Sequence, residues 1–81
     1  MLKEEIKMFV TIKALTSLID DNIYYIQDAK RHHNCSEEEY NQYLDKMYSK
    51  LDRQIEKLKS ISCNTKLINT YIKKVEEIKN D

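Results

Sequence analysis

Residues 36–61, SEEEYNQYLDKMYSKLDRQIEKLKSI, decide the fold of this chain. Ser36 is followed three residues later by Glu39, which is the spacing of a capping box at the start of a helix. Apolar side chains then recur at intervals of four and three residues, at Tyr40, Leu44, Met47, Leu51, Ile55, Leu58 and Ile61. This spacing places them along one face of an α-helix. The stretch therefore predicts a long helix over about 36–62 with one narrow apolar face.

The segments on either side of this stretch predict two further helices. The first carries an apolar stripe at Met8, Ile12, Leu15, Ile19, Ile23 and Ile26, which predicts a helix over about 2–33. The third carries Leu67, Ile68, Tyr71, Ile72, Val75 and Ile78, which predicts a shorter helix over about 65–80. Short connections make consecutive helices antiparallel neighbours. We expect an all-α fold over a single domain, 1–81: an antiparallel helical hairpin of two long helices plus a shorter third helix, forming a three-helix bundle.

The turns of this chain have to be built without glycine or proline, because neither residue occurs in it. These are the two strongest helix breakers. We expect Asn34 to adopt the left-handed conformation that glycine usually supplies, and Asn64 or Thr65 to cap the third helix. Asp20-Asp21-Asn22 consists of poor helix formers, so a kink or a break in the first helix remains open. Glycine-rich phosphate loops are excluded.

The first helix also carries apolar residues outside its main stripe. Leu2, Ile6 and Phe9 form a second stripe, displaced by about a third of a turn at 3.6 residues per turn, and Val10, Ala14 and Tyr25 add a third flank. A helix with this pattern is expected to be buried on more than one side. A third helix of half the length cannot cover all of it. We therefore expect a homo-oligomer, with Leu2, Ile6, Phe9 and Val10 in the self-association surface.

Charge is balanced over the whole chain, with 14 Lys and Arg, 14 Asp and Glu, and a net charge of zero. The two signs are also spread evenly along the sequence, which argues against binding to nucleic acid or an anionic membrane. No apolar run is long enough to span a bilayer, and Glu4 and Glu5 are unlike the start of a signal peptide. We expect a cytoplasmic protein. Twelve Lys against two Arg, with ten Ile, indicates an AT-rich coding sequence, as in low-GC bacteria, their phages and plasmids, and some eukaryotes and viruses.

His32, His33 and Cys35 are the one cluster of metal-ligand side-chain types in the sequence. Zinc sites need four ligands, and Cys63 would lie about 40 Å away along a continuous second helix at 1.5 Å per residue. Only an antiparallel dimer would bring the two cysteines together. As a nucleophile, Cys35 would face the acidic run 37–39, which opposes thiolate formation. We expect no metal, no cofactor and no catalytic residue here, but a polar helix end and a loop thiol.

Five of the six tyrosines fall near the hairpin end, where the first helix ends and the second begins: Tyr24, Tyr25, Tyr40, Tyr43 and Tyr48. Tyrosine is enriched in the energetically dominant residues of protein interfaces. These five residues are therefore the candidate partner-binding residues. The alternative, of equal weight, is that their rings fill a wide hairpin end.

The segment Asn41-Gln42-Tyr43-Leu44-Asp45 resembles the Ser-Gln-Glu-Leu-Asp motif of small sporulation-type aspartyl-phosphate phosphatases. Gln42, Leu44 and Asp45 carry the resemblance, which covers five residues. It would imply a helical hairpin that dephosphorylates response regulators. The predicted connection between the helices is shorter than in that family, and we do not assign the chain to it.

The sequence thus predicts a non-catalytic protein-binding module, a small regulator or inhibitor of another protein. A phage or mobile element of a low-GC bacterium is the source that its amino-acid bias favours. One alternative is a small helical dimer that binds nucleic acid through Lys30-Arg31-His32-His33 and Lys73-Lys74. Another is a structural or assembly protein that forms an oligomeric bundle.

Overall fold

A computed structural model describes residues 3–32 and 34–80 of the chain, and these residues form three α-helices. Helix α1 spans Lys3–His32, α2 spans Glu37–Ile61 and α3 spans Thr65–Asn80. Each helix contacts the other two. The predicted all-α three-helix bundle is confirmed, with helix limits within one residue of those expected. Leu2 and His33 lie outside the described residues.

The core runs along the bundle axis and is formed by one face of each helix. Four of its side chains are sealed from solvent: Ile19, Ile26, Leu51 and Leu58. Each contributes about 1.5–3 kcal/mol relative to an exposed position. The remaining buried apolar residues are Leu15, Met47, Ile55, Tyr71, Val75 and Ile78. The stripes predicted for α2 and α3 therefore supply the core together with Leu15, Ile19 and Ile26 of the stripe predicted for α1.

Polar side chains fix the start of both later helices. The Ser36 hydroxyl accepts a hydrogen bond from the Glu39 amide at 3.2 Å, which is one of the two hydrogen bonds of the predicted capping box. The Asn64 side-chain oxygen accepts from the Leu67 amide at 3.1 Å. Asn34 corrects a prediction, because no residue in the described ranges has a positive φ. Residues 34–36 of the connection to α2 contain no left-handed residue, and Ser36 has extended backbone.

Helix α1 continues without a break through Asp20-Asp21-Asn22. Asn22 is 6% exposed, and its side-chain amide donates a hydrogen bond to the side-chain oxygen of Gln54, on α2, at 3.0 Å. Asp20 turns the other way, towards α3, and accepts a hydrogen bond from the Tyr71 hydroxyl at 2.9 Å. Both side chains have tertiary partners, so neither competes for the helix backbone.

The last turn of α3 is held by donors from the other two helices. The ammonium group of Lys30, on α1, and the hydroxyl of Tyr48, on α2, both donate to the carbonyl oxygen of Ile78. Carbonyl groups in the last turn of a helix have no partner within the helix. Lys79 adds an ion pair with Asp52 of α2 at 2.6 Å. The end of α3 is thereby attached to both α1 and α2.

Helix α1 is buried on one side only, which corrects the expectation of burial on several sides. Residues 3–10 are all exposed, including Met8 of the predicted stripe. Helix α1 has 30 residues and α2 has 25, so α1 begins beyond the end of α2, whose Ile61 lies beside Met8. The molecule is accordingly elongated, with extents of 51 × 19 × 17 Å.

Candidate protein-binding surface

Exposed apolar side chains concentrate on α1. Within residues 3–32 and 34–80, eight large hydrophobic side chains are exposed, and seven of them belong to this helix. The seven are Ile6, Met8, Phe9, Val10, Leu18, Tyr24 and Tyr25. The eighth is Tyr43 on α2. Single exposed apolar residues are ordinary, but a concentration on one element is typical of an interaction surface.

The first group of these residues lies at the projecting start of α1, and we call Ile6, Phe9 and Val10 the N-terminal patch. Phe9 is 63% exposed, and the Lys13 ammonium lies 5.9 Å from its ring centroid. These are the described members of the predicted self-association set, since Leu2 lies outside the described residues. On the other side of the same segment, Met8 and Ile61 line a shallow apolar depression.

The candidate tyrosines do not form one cluster. Tyr24 and Tyr25 contact each other edge to face, with ring centroids 6.0 Å apart, on the outside of α1. Tyr40 and Tyr48 are half-buried and line a groove beside Lys30 and Lys79 at the end of α3. Tyr43 is five residues from Tyr48, which places it about 140° away around α2.

These positions show which tyrosines pack within the bundle and which are available to bind a partner. Tyr48 is structural, since its hydroxyl holds the end of α3 and the Lys30 ammonium lies 5.8 Å from its ring centroid. Tyr24, Tyr25 and Tyr43 are exposed and are the members of the set that present rings to solvent.

The structure separates the two cysteine thiols. Cys35 and Cys63 are both free and exposed, one at each end of α2. In the described residues no three His, Cys, Asp or Glu side chains come together as a metal site would require. His33 lies outside that part of the chain. None of the three helices is long and apolar enough over its described length to cross a membrane.

Two lysines of the predicted nucleic-acid segments are occupied by intramolecular contacts. Lys30 donates to the Ile78 carbonyl oxygen, and Lys74 forms an ion pair with Asp20 at 3.2 Å. The Lys74 ammonium also lies 4.6 Å from the ring centroid of Tyr71. Both cations therefore stabilise the packing of α3 on the hairpin.

The hydroxyl of Tyr71 has a raised pKa. Burial is the main cause, and the hydrogen bond to Asp20 together with the charge of that carboxylate raises the pKa further. Lys74 and a hydrogen bond with Thr16 act in the opposite direction. The Tyr71 hydroxyl thus forms a hydrogen bond that joins α3 to α1.

Sequence reasoning missed a charge pattern around α2. Four cations follow one another at intervals of four, three and four residues: Lys46, Lys50, Arg53 and Lys57. All four are exposed, and we call them the basic edge. The carboxylates Asp45, Asp52 and Glu56 follow at intervals of seven and four residues and so lie along a different side of the helix. Charge is balanced along the sequence, but over residues 45–57 of α2 it is sorted by face.

The three residues that carry the phosphatase resemblance do not share one environment. Gln42 and Asp45 are exposed, whereas Leu44 is half-buried against the core. Asp45 lines the groove beside Tyr40 and Tyr48.

Comparison with known proteins finds no relative: no protein-family model matches the chain, and no curated protein or solved structure is significantly similar to it. The functional inference therefore depends on the surface itself.

Proposed function

We propose that this chain is a non-catalytic protein-binding module, a small regulator or inhibitor that acts by occupying a surface of another protein. The observation that carries the proposal is the concentration of exposed apolar side chains on α1, seven of the eight in the described residues. Each such side chain retains hydrophobic free energy that only contact with another surface can release.

The side-chain types on this surface support protein recognition. Tyrosine and phenylalanine are enriched at protein interfaces, whereas Lys and Glu are depleted there. Phe9, Tyr24 and Tyr25 are more than half exposed on one helix. The proposal includes a cytoplasmic location and a source in a low-GC bacterium or one of its mobile elements, which the Lys and Ile bias supports.

The test is affinity capture from a low-GC bacterial lysate with the whole chain as bait. We expect the wild type to capture a partner in near-stoichiometric amount. The amount captured should fall by about tenfold or more with Leu18→Ser/Tyr25→Ser. Both residues are about half exposed, so the variant keeps the core intact. Circular dichroism checks that the variant is folded.

The matched control is Asn69→Ala/Thr70→Ala, which changes two exposed residues of α3. It should retain the partner as the wild type does. Absence of any partner, or equal retention by the folded Leu18→Ser/Tyr25→Ser variant, contradicts the proposed function.

Self-association is the second candidate function, and the N-terminal patch favours it. Ile6, Phe9 and Val10 are 46%, 63% and 57% exposed at the projecting start of α1, on the side away from the depression that Met8 and Ile61 line. A second copy with the same patch is the simplest cover, because a two-fold interface uses the same surface on both subunits.

A further inference from the structure

We propose that the side of the bundle between α1 and α2, opposite α3, binds an amphipathic helix that carries carboxylates along one edge. We call this side the α1/α2 face. The inference rests on the proposed function and names the chemical class of the partner.

The contacts between helices show which side chains belong to this face. On α1, Asp20 points to α3 and Asn22 points to α2. At 100° of rotation per residue, Leu18 and Tyr25 lie about 40° and 60° from Asn22 around α1. Asn22 lies between them and the part of the helix that faces the core and Asp20. They are 52% and 54% exposed.

On α2, too, the residues that contact the other helices show which side chains belong to the face. Asp52 pairs with Lys79 of α3, and Gln54 pairs with Asn22 of α1. Tyr43 lies about 20° from Gln54 around the helix, on the side away from Asp52. The α1/α2 face therefore presents three exposed apolar side chains, two from one helix and one from the other.

The basic edge borders this face. Lys50 lies about 40° from Gln54 and about 160° from Asp52, and the other three cations follow the same line along the helix. None of the four forms an ion pair within residues 3–32 and 34–80. Like charges at these spacings destabilise a helix by tenths of a kcal/mol per pair. An acidic partner would relieve that repulsion.

The shape and length of the face fit a helix. Two antiparallel helices form a groove into which a further helix packs, as in a four-helix bundle. The basic edge extends over residues 46–57, or about 16 Å at 1.5 Å per residue. A partner helix of three to four turns with carboxylates at four- and three-residue intervals would match both the apolar side chains and the cations.

Two other occupants fit less well. A second copy of this chain offers on this face two carboxylates, Asp21 and Asp28, and brings four more cations with them. Nucleic acid would neutralise the basic edge but would leave Leu18 exposed.

The experiment uses the full chain and two synthetic peptides of about 18 residues, identical in their leucine face. One carries Glu along its edge and the other carries Lys. Fluorescence anisotropy measures the Kd of each peptide at low and at physiological salt. We expect the Glu peptide to bind about tenfold or more tightly than the Lys peptide, and its affinity to fall with salt.

Two variants with the same change in net charge locate the site. Lys50→Glu/Arg53→Glu should weaken the Glu peptide by about tenfold or more, whereas Lys66→Glu/Lys73→Glu, on exposed positions of α3, should change its Kd by about twofold or less. Leu18→Ser/Tyr25→Ser should also weaken it, since the apolar side chains supply affinity that charge alone does not.

Four results would overturn the inference. The first two are equal Kd values for the two peptides, or equal effects of the two charge variants. The third is tighter binding of a DNA duplex at the same salt with loss in Lys50→Glu/Arg53→Glu, which would make nucleic acid the occupant. The fourth is self-association that this variant abolishes, measured by sedimentation equilibrium, which would make a second copy the occupant.

The capture experiment separates this inference from the proposed function. A partner that is lost with Leu18→Ser/Tyr25→Ser but kept by Lys50→Glu/Arg53→Glu supports the proposed function and contradicts the acidic helix. No captured partner at all contradicts the proposed function, whatever the peptides do.

Discussion

Asn22 is a buried polar residue among the apolar side chains of the core. Its side-chain amide donates a hydrogen bond to the side-chain oxygen of Gln54. A polar pair of this kind adds little net stability, because both groups lose water when the chain folds. It does penalise every arrangement of α1 against α2 that separates the pair. Its contribution is therefore to the register of the hairpin, the role that buried polar residues have in coiled coils.

The first prediction concerns this pair. Asn22→Ala should lower the free energy of unfolding by about 1–3 kcal/mol, whereas Asn22→Leu/Gln54→Leu should be close to neutral because both partners become apolar. Urea denaturation measures both values. Asn69→Ala, an exposed asparagine of α3, is the control. If the destabilisation in Asn22→Leu/Gln54→Leu equalled the sum of those in Asn22→Leu and Gln54→Leu, the pair would not be coupled.

The second prediction concerns Tyr71. Its pKa is raised in the folded chain, so the folded state holds the phenolic proton more tightly than the unfolded state. The associated stability is complete below the ordinary tyrosine pKa of about 10 and is lost as the pH rises through the raised value. The free energy of unfolding of the wild type should therefore fall in this alkaline range.

Tyr71→Phe should lack this component of the alkaline loss, and it should be less stable than the wild type at neutral pH by about 1 kcal/mol. Tyr24→Phe removes an exposed hydroxyl and should keep the wild-type profile. Parallel pH profiles of the wild type and Tyr71→Phe would exclude Tyr71 as the responsible group.

At the scale of the elements, the helices were predictable and their outer faces were not. Spacing and caps place the helix limits within one residue, because Ser36 and Asn64 act locally through backbone amides. The apolar pattern of Phe9 and Val10 indicates only that these residues favour burial. Whether a neighbour covers them depends on which side of α1 the other two helices pack against, which is a tertiary property.

The candidate tyrosines illustrate the same limit. Nearness to the hairpin end suggested one cluster, but helical rotation sends Tyr43 and Tyr48 to different sides of α2. The basic edge was available in the sequence from its four-three-four spacing. The charge balance along the chain conceals it, because the two signs separate only around the helix.

The third prediction belongs to α2. Ser36→Ala removes the acceptor for the Glu39 amide and should cost about 1 kcal/mol of the free energy of unfolding. Ser49→Ala, at an exposed position within the same helix, should leave stability unchanged or raise it, since alanine is the better helix former. Thermal and urea denaturation of both variants make the comparison. Equal effects of the two substitutions would mean that the cap contributes nothing.

At the scale of the whole molecule, two apolar surfaces remain open, and α1 contributes side chains to both. The N-terminal patch lies at the projecting start of α1, and the α1/α2 face lies alongside the middle of the bundle. They are distinct enough to be tested separately, and each has its own set of substitutions.

The fourth prediction tests the N-terminal patch. Ile6→Ser/Phe9→Ser should reduce self-association in sedimentation equilibrium, and it should change the free energy of unfolding of the monomer by about 0.5 kcal/mol or less because both side chains are exposed. Lys66→Glu/Lys73→Glu should associate as the wild type does. A wild type that stays monomeric at all concentrations would remove the second candidate function.

The two connections of the bundle, residues 33–36 and 62–64, also determine how fast it forms. Neither contains proline, and each closes a loop of only a few residues, so the chain faces no slow isomerisation and little entropic cost before its native contacts form. Stopped-flow or temperature-jump fluorescence of the tyrosines should show a single refolding phase in the microsecond-to-millisecond range typical of helical bundles. A phase lasting tens of seconds would be inconsistent with this route. A protein that refolds so quickly after local opening exposes its core only briefly, and degradation by cellular proteases should then follow its equilibrium stability and not its unfolding rate.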